Sequence, residues 1–119
     1  MDHRLEKALE LASSLSMFND QKSLLFNKLQ DQSVYYYNGG KFTVTKNLIN
    51  FCFTLISNNQ TSAVIVDDNN IPIKIEILEE FYHNLLNVYS TATNEYYNDY
   101  QSLIKKRTKE RLMDIDTNE

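Results

Sequence analysis

Apolar residues along this chain keep three different rhythms, and the changes of rhythm mark out its elements. From Glu76 to about Met113 the spacing is 4-3. Leu78, Leu85 and Ala92 recur every seven residues, and Tyr82, Tyr89, Tyr96 and Leu103 recur on the same period four places later. Neither Gly nor Pro interrupts the run, so it predicts one long amphipathic helix over residues 76–113. At 1.5 Å per residue such a rod is roughly 57 Å long, and its apolar side needs a mate. Upstream, Leu5, Ala8, Leu9, Leu11, Ala12, Leu15 and Phe18 recur at three- and four-residue steps, and Leu25 and Leu29 continue the stripe. This predicts a first helix over residues 1–32, with Asp2 as its cap. The polar run Asn19-Asp20-Gln21-Lys22 falls inside it and reads as a solvated turn of one helix, with a fresh cap that restarts the helix as the alternative. The leucines read as core or as helix-pairing surface.

Between the helices the period drops to two. Val34 to Tyr37, then Asn38-Gly39-Gly40, then Lys41 to Thr45 predicts a hairpin whose turn supplies residues tolerant of positive φ. Ser62 to Val66, then Asp67-Asp68-Asn69-Asn70, then Ile71 to Ile75 predicts a second hairpin. Pro72 cannot donate to a ladder, so its strand starts there or lies at an edge. A shorter helix over residues 47–57, capped by Thr45 or Asn47, lies between the hairpins and gathers Leu48, Phe51, Cys52, Leu55 and Ile56 on one face.

Strand, turn, strand and helix thus occur twice. Leu48, Phe51, Leu55 and Ile56 fall on Leu78, Phe81, Leu85 and Leu86 at one offset, and Phe42 and Val44 fall on Ile71 and Ile73 with one residue of slippage. Two ββα units predict a small antiparallel sheet with helices on one face and the other face available. The expected fold is α+β in a single domain, residues 1–119: long terminal helices packed antiparallel, a short middle helix, two hairpins, and a frayed acidic tail over residues 114–119.

Composition narrows the functional classes. A chain of 119 residues, 42% hydrophobic and 24% charged, suits one globular domain. A net charge of −4 and a pI near 5.1 argue against a general nucleic-acid binder, since phosphates are held by clustered Lys and Arg. One cysteine makes no internal disulfide, and no apolar run resembles a signal peptide or a membrane span. The expected location is therefore a reducing cytoplasm.

No HExxH, CxxC or GxSxG spacing occurs, and the expectation is a protein without catalytic residues, cofactor or metal. Asn38-Gly39-Gly40-Lys41 lacks the spacing of a phosphate-binding loop. Asp67-Asp68-Asn69-Asn70 lacks the Gly and the bidentate Glu of a calcium loop and reads as a plain turn. Cys52, on an apolar helix face, reads as a small buried hydrophobe. Tyrosine is the conspicuous residue, with eight copies and no Trp. The row Tyr82, Tyr89, Tyr96 reads as packing against the first helix, with a subunit interface as its functional alternative. Asp99 interrupts the seam, and beyond it Tyr97, Tyr100, Leu103 and Ile104 are the candidate contact with another chain. Lys105, Lys106, Arg107, Lys109 and Arg111 form a candidate basic patch, read first as a solvated helix end, then as a docking point for an acidic protein, then for nucleic acid.

Two resemblances rest on these segments. His3 to Glu10, Tyr35 to Val44, Val64 to Ile75, Ala92-Thr93-Asn94-Glu95-Tyr96 and Lys106-Arg107 together resemble small proteins of T-even-type tailed phages of marine cyanobacteria. The resemblance associates the chain with the head-assembly region and the prohead core. It implies a structural role in procapsid formation in the host cytoplasm, through contacts with other phage or host proteins and further copies of the chain. The hairpin and long helix from Ala63 onward are similar to those of prefoldin subunits, which implies a holdase chaperone as the alternative. The middle helix departs from the prefoldin plan. A third reading is a small regulator touching nucleic acid through the basic helix end.

Overall fold

The computed structural model describes residues 2–116, with side chains described as far as residue 111. The order is α1 (His3–Gln32), β1 (Val34–Tyr37), β2 (Gly40–Thr43), α2 (Lys46–Ser57), β3 (Ala63–Val66), β4 (Pro72–Ile75) and α3 (Leu78–Asp116). This is the expected α+β class with its repeated strand-strand-helix order. Of the tail expected to fray, residues 114–116 are helical, and residues 117–119 lie outside the described residues. The chain packs as two compact units. One is Leu29–Asn94; the other holds the residues up to Lys28 together with those from Glu95 onward.

The Leu29–Asn94 unit owns the core. Asn38 and Gly39 both take positive φ, 49° and 79°, the mirror-image turn that matches the twist of a two-residue hairpin. Tyr37 therefore pairs with Gly40 and Val34 with Thr43. A strand's alternation sends Gly40, Phe42 and Val44 inward. The second hairpin pairs Val66 with Pro72 and Ala63 with Ile75, its strand starting at the proline, and turns Ile65, Ile73 and Ile75 inward. Thr45 caps α2 by accepting from the Leu48 N–H at 3.1 Å. The Thr61 carbonyl accepts from the Leu78 N–H at 3.0 Å and ties down the start of α3. Phe81, on the first turns of α3, is the centre of the packing. The rings of Tyr35, Tyr37 and Phe42 meet it edge-on at 5.6, 5.5 and 5.2 Å, the arrangement the ring quadrupole favours. Asn84 donates to the Tyr35 hydroxyl at 2.9 Å, so that tyrosine's polar end is satisfied.

The two hairpins remain separate two-stranded sheets instead of merging into the expected four-stranded one. The outward edge of β2 is taken by the turn of the second hairpin. Asp67 accepts from the Lys41 N–H at 3.0 Å, the Lys41 carbonyl accepts from the Asp68 N–H at 2.9 Å, and Asp68 accepts from the Thr43 N–H at 3.1 Å. A carboxylate pair thus does for this edge what a neighbouring strand would do.

The repeat holds in element order but not at the expected positions. Phe51 is half exposed while Phe81 is buried, and Ile71 is exposed while Phe42 is buried. Buried residues correspond as Ile49 to Leu78, Cys52 to Phe81, Phe42 to Ile73 and Val44 to Ile75. The strand-to-helix links are equally long, but the first buried helix residue follows the last buried strand residue by five positions in the first copy, Val44 to Ile49, and by three in the second, Ile75 to Leu78.

Candidate interaction surface

In the unit formed by the two chain ends, α1 and the distal half of α3 run antiparallel, as expected. Lys28 Nζ lies 2.8 Å from Glu95 Oε1 and 3.0 Å from Asp99 Oδ2. The Phe26 and Tyr96 rings meet edge-on at 6.4 Å, and the Arg107 guanidinium lies 4.3 Å from the centre of the Phe18 ring. Asp99, the interruption in the seam, is therefore matched by a lysine of the opposite helix. The carboxylates of Glu95 first and Asp99 second hold the Lys28 ammonium above the ordinary lysine range.

The pairing is shallow. No described side chain of α1 is buried, and none of residues 95–111 is. The reading of the α1 leucines as core is corrected here: Leu5, Leu9, Leu11 and Leu15 are 52%, 54%, 64% and 48% exposed. α1 turns toward α3 a largely polar side, and the groove between them is lined by Glu10, Ser14, Met17, Phe18, Leu103 and Arg107. Met17, Leu24 and Phe26 are exposed as well. These three lie off the expected stripe, and their scatter around the helix is the sequence signal that one neighbour could not cover it.

The residues expected to form the contact patch divide. Tyr97 is 62% exposed, while Tyr100, Leu103 and Ile104 are half-buried. Tyr100 leans on Tyr96 at 6.2 Å, and Leu103 lines the groove. Leu78, Leu85 and Ala92 are buried as read from the sequence, and Tyr82, Tyr89 and Tyr96 are half-buried beside them. Tyr96 meets Phe26 of α1 as expected, whereas Tyr82 and Tyr89 pack against the hairpin core and Tyr82 lies 6.0 Å from Phe53 of α2, not against the first helix. Of the basic patch, Lys105, Lys106, Lys109 and Arg111 are exposed. Arg107 is drawn inward onto Phe18, and its Nη1 is buried with no hydrogen-bond partner. The cluster lies near the end of α3 but short of its last turn, which contains no basic residue.

Compared with family models, known proteins and solved structures, the chain matches none. Its residues therefore carry the functional argument alone. Among the described residues, no group of three or more His, Cys, Asp or Glu is placed to hold a metal ion, and no helix is long and apolar enough to cross a membrane. The acidic turn is occupied from within, because Asp67 accepts from the N–H groups of Lys41, Asn69 and Ile71. Cys52 is fully buried, and burial pushes its thiol up to about 11, far from the thiolate that nucleophilic chemistry needs. A second exposed apolar group, Val64, Val66 and Ile71, lies on the outer side of the second hairpin.

Proposed function

We propose that this is a non-enzymatic assembly protein that works by contact with other protein chains, in line with its resemblance to head-assembly proteins of tailed phages. One observation carries the reading: α1 is a helix of 30 residues with none buried, although it holds seven leucines and two phenylalanines. Water-facing apolar side chains on this scale mark a surface that another chain covers. Tyr97 and its neighbours Tyr100, Leu103 and Ile104 extend the contact surface onto α3. Crosslinking of a tagged chain in infected lysate, together with light scattering of the purified protein, tests this. Capsid or scaffold proteins as crosslinked partners support it; a chain that crosslinks to no assembly protein overturns it.

The same exposed leucines favour a second reading, a holdase that covers unfolded clients. Suppression of client aggregation at stoichiometric ratio supports that reading against the first. Contact with nucleic acid through Lys105, Lys106, Lys109 and Arg111 would show as binding that falls steeply with salt.

A further inference from the structure

We propose that the first half of α1 is a two-fold docking face that takes the same segment of a second, antiparallel copy. The inference rests on the assembly reading and names the occupant of its surface. The exposed apolar residues from Leu5 to Leu15 form a palindrome about Glu10. Leu5 mirrors Leu15, Ala8 mirrors Ala12, and Leu9 mirrors Leu11. A two-fold interface demands this property, because residue i of one chain meets j of the other while j meets i.

Helix geometry places the pairs correctly. At 3.6 residues per turn, Ala8 and Ala12 lie about 20° either side of the midline of the face, Leu5 and Leu15 about 40°, and Leu9 and Leu11 about 80°. The two alanines at the centre let the backbones approach, and the leucines close over them from both sides. All six side chains are exposed in the single chain, and Leu11 and Leu15 remain so although they border the groove toward α3.

The charges select direction. Glu10 sits on the two-fold but points to the opposite side of the helix, so it does not meet its own copy. Arg4, about 60° from the midline, is the charge that borders the face, and under the same operation it falls opposite the uncharged Ser16. A parallel pairing would set Arg4 level with its own copy, where like charges repel. Six side chains per copy make a small face by the standard of stable interfaces, so the association is concentration-dependent.

Sedimentation equilibrium of the full chain tests this. The expected result is a monomer-dimer equilibrium that Leu9→Glu shifts at least tenfold toward monomer while the circular dichroism spectrum and melting curve stay unchanged. Direction is read from disulfide trapping, in which the buried native Cys52 does not compete. Ala8→Cys chains mixed with Ala12→Cys chains form the mixed dimer under mild oxidation, and neither variant alone crosslinks efficiently. A chain that stays monomeric to millimolar concentration, a dimer insensitive to Leu9→Glu, or an Ala8→Cys variant that crosslinks to itself as readily as to Ala12→Cys overturns the proposal. A monomeric chain that still crosslinks to capsid proteins through Tyr97 overturns the two-fold docking and leaves the assembly reading standing.

Discussion

Asp68 holds Thr43 at two points, accepting from its backbone N–H at 3.1 Å and from its hydroxyl at 2.6 Å. Those residues belong to different hairpins, so this pair and its neighbour Asp67 tie together two sheets that share no ladder. Through Asp67, whose carboxyl is held low by these bonds, the tie couples the packing of the hairpins to pH.

Asp67 gives that dependence its sign. The N–H of Lys41 foremost, and then that of Ile71, hold its carboxyl below the ordinary range, outweighing the upward push of burial. A carboxyl lowered by folding contributes stability that is fully present above its unfolded value, ~3.9, and is lost as pH falls through the folded value. Urea midpoints measured from about pH 5 to 2 should fall more steeply for the native chain than for Asp67→Asn. Equal acid limbs would show that these bonds add nothing to the tie.

The same kind of substitution has opposite outcomes in the two units. Leu85 is fully buried, so Leu85→Ala should cost about 2–5 kcal/mol through lost transfer energy and the cavity left behind. Leu9→Ala, at a half-exposed position of α1, should change stability by no more than about 0.5 kcal/mol. Denaturant unfolding followed by circular dichroism measures both.

Gly40 is the crowded glycine of the first hairpin. A Cβ there would stand 2.7 Å from Cγ1 of Ile73, a buried side chain. Gly40→Ala should cost about 1–3 kcal/mol as overpacking, read as a lower denaturant midpoint. At Gly39 the added Cβ meets nothing, and the cost comes from φ of +79°.

Cys52 reports on global opening. With the side chain fully buried and its thiol pushed up to about 11, alkylation of the native protein should proceed only through unfolding. It should accelerate with urea in step with the unfolded fraction. The raised value also sets a sign. The unfolded chain releases this proton near pH 8.5 while the folded chain keeps it, so stability declines as pH rises above that point. Cys52→Ala should flatten that decline relative to the native chain; an unchanged alkaline limb would refute the assignment.

Tyr97 and Tyr100 separate contact from packing. Tyr97→Ser, at an exposed position, should leave the melting curve within about 0.5 kcal/mol and weaken any crosslink that runs through this patch. Tyr100→Ser also removes the ring against Tyr96 at 6.2 Å and should cost more. If Tyr97→Ser melts as low as Leu85→Ala, the ring is internal and the patch is not a contact surface.

Local pattern alone decided the elements. Three helices, two hairpins and the start of β4 at Pro72 follow from periods of 3.6 and 2, from caps, and from one Asn-Gly turn. These are short-range properties that each segment carries by itself. The buried seam of Leu78, Leu85 and Ala92 was legible for the same reason, since three apolar residues on one helical face can only turn inward together.

The tertiary structure alone decided which apolar faces find a neighbour. The apolar residues of α1, like those of α3, recur at helical spacing, yet α3 meets hairpins that fill its grooves while α1 offers α3 serines and glutamates across an open groove. Spacing encodes that a face exists, whereas covering it takes a second surface of matching shape. The same holds for the sheets: strand propensity is local, but the edge of β2 was claimed by two aspartates 25 or more residues away in sequence, and no periodicity records which acceptor reaches an edge first.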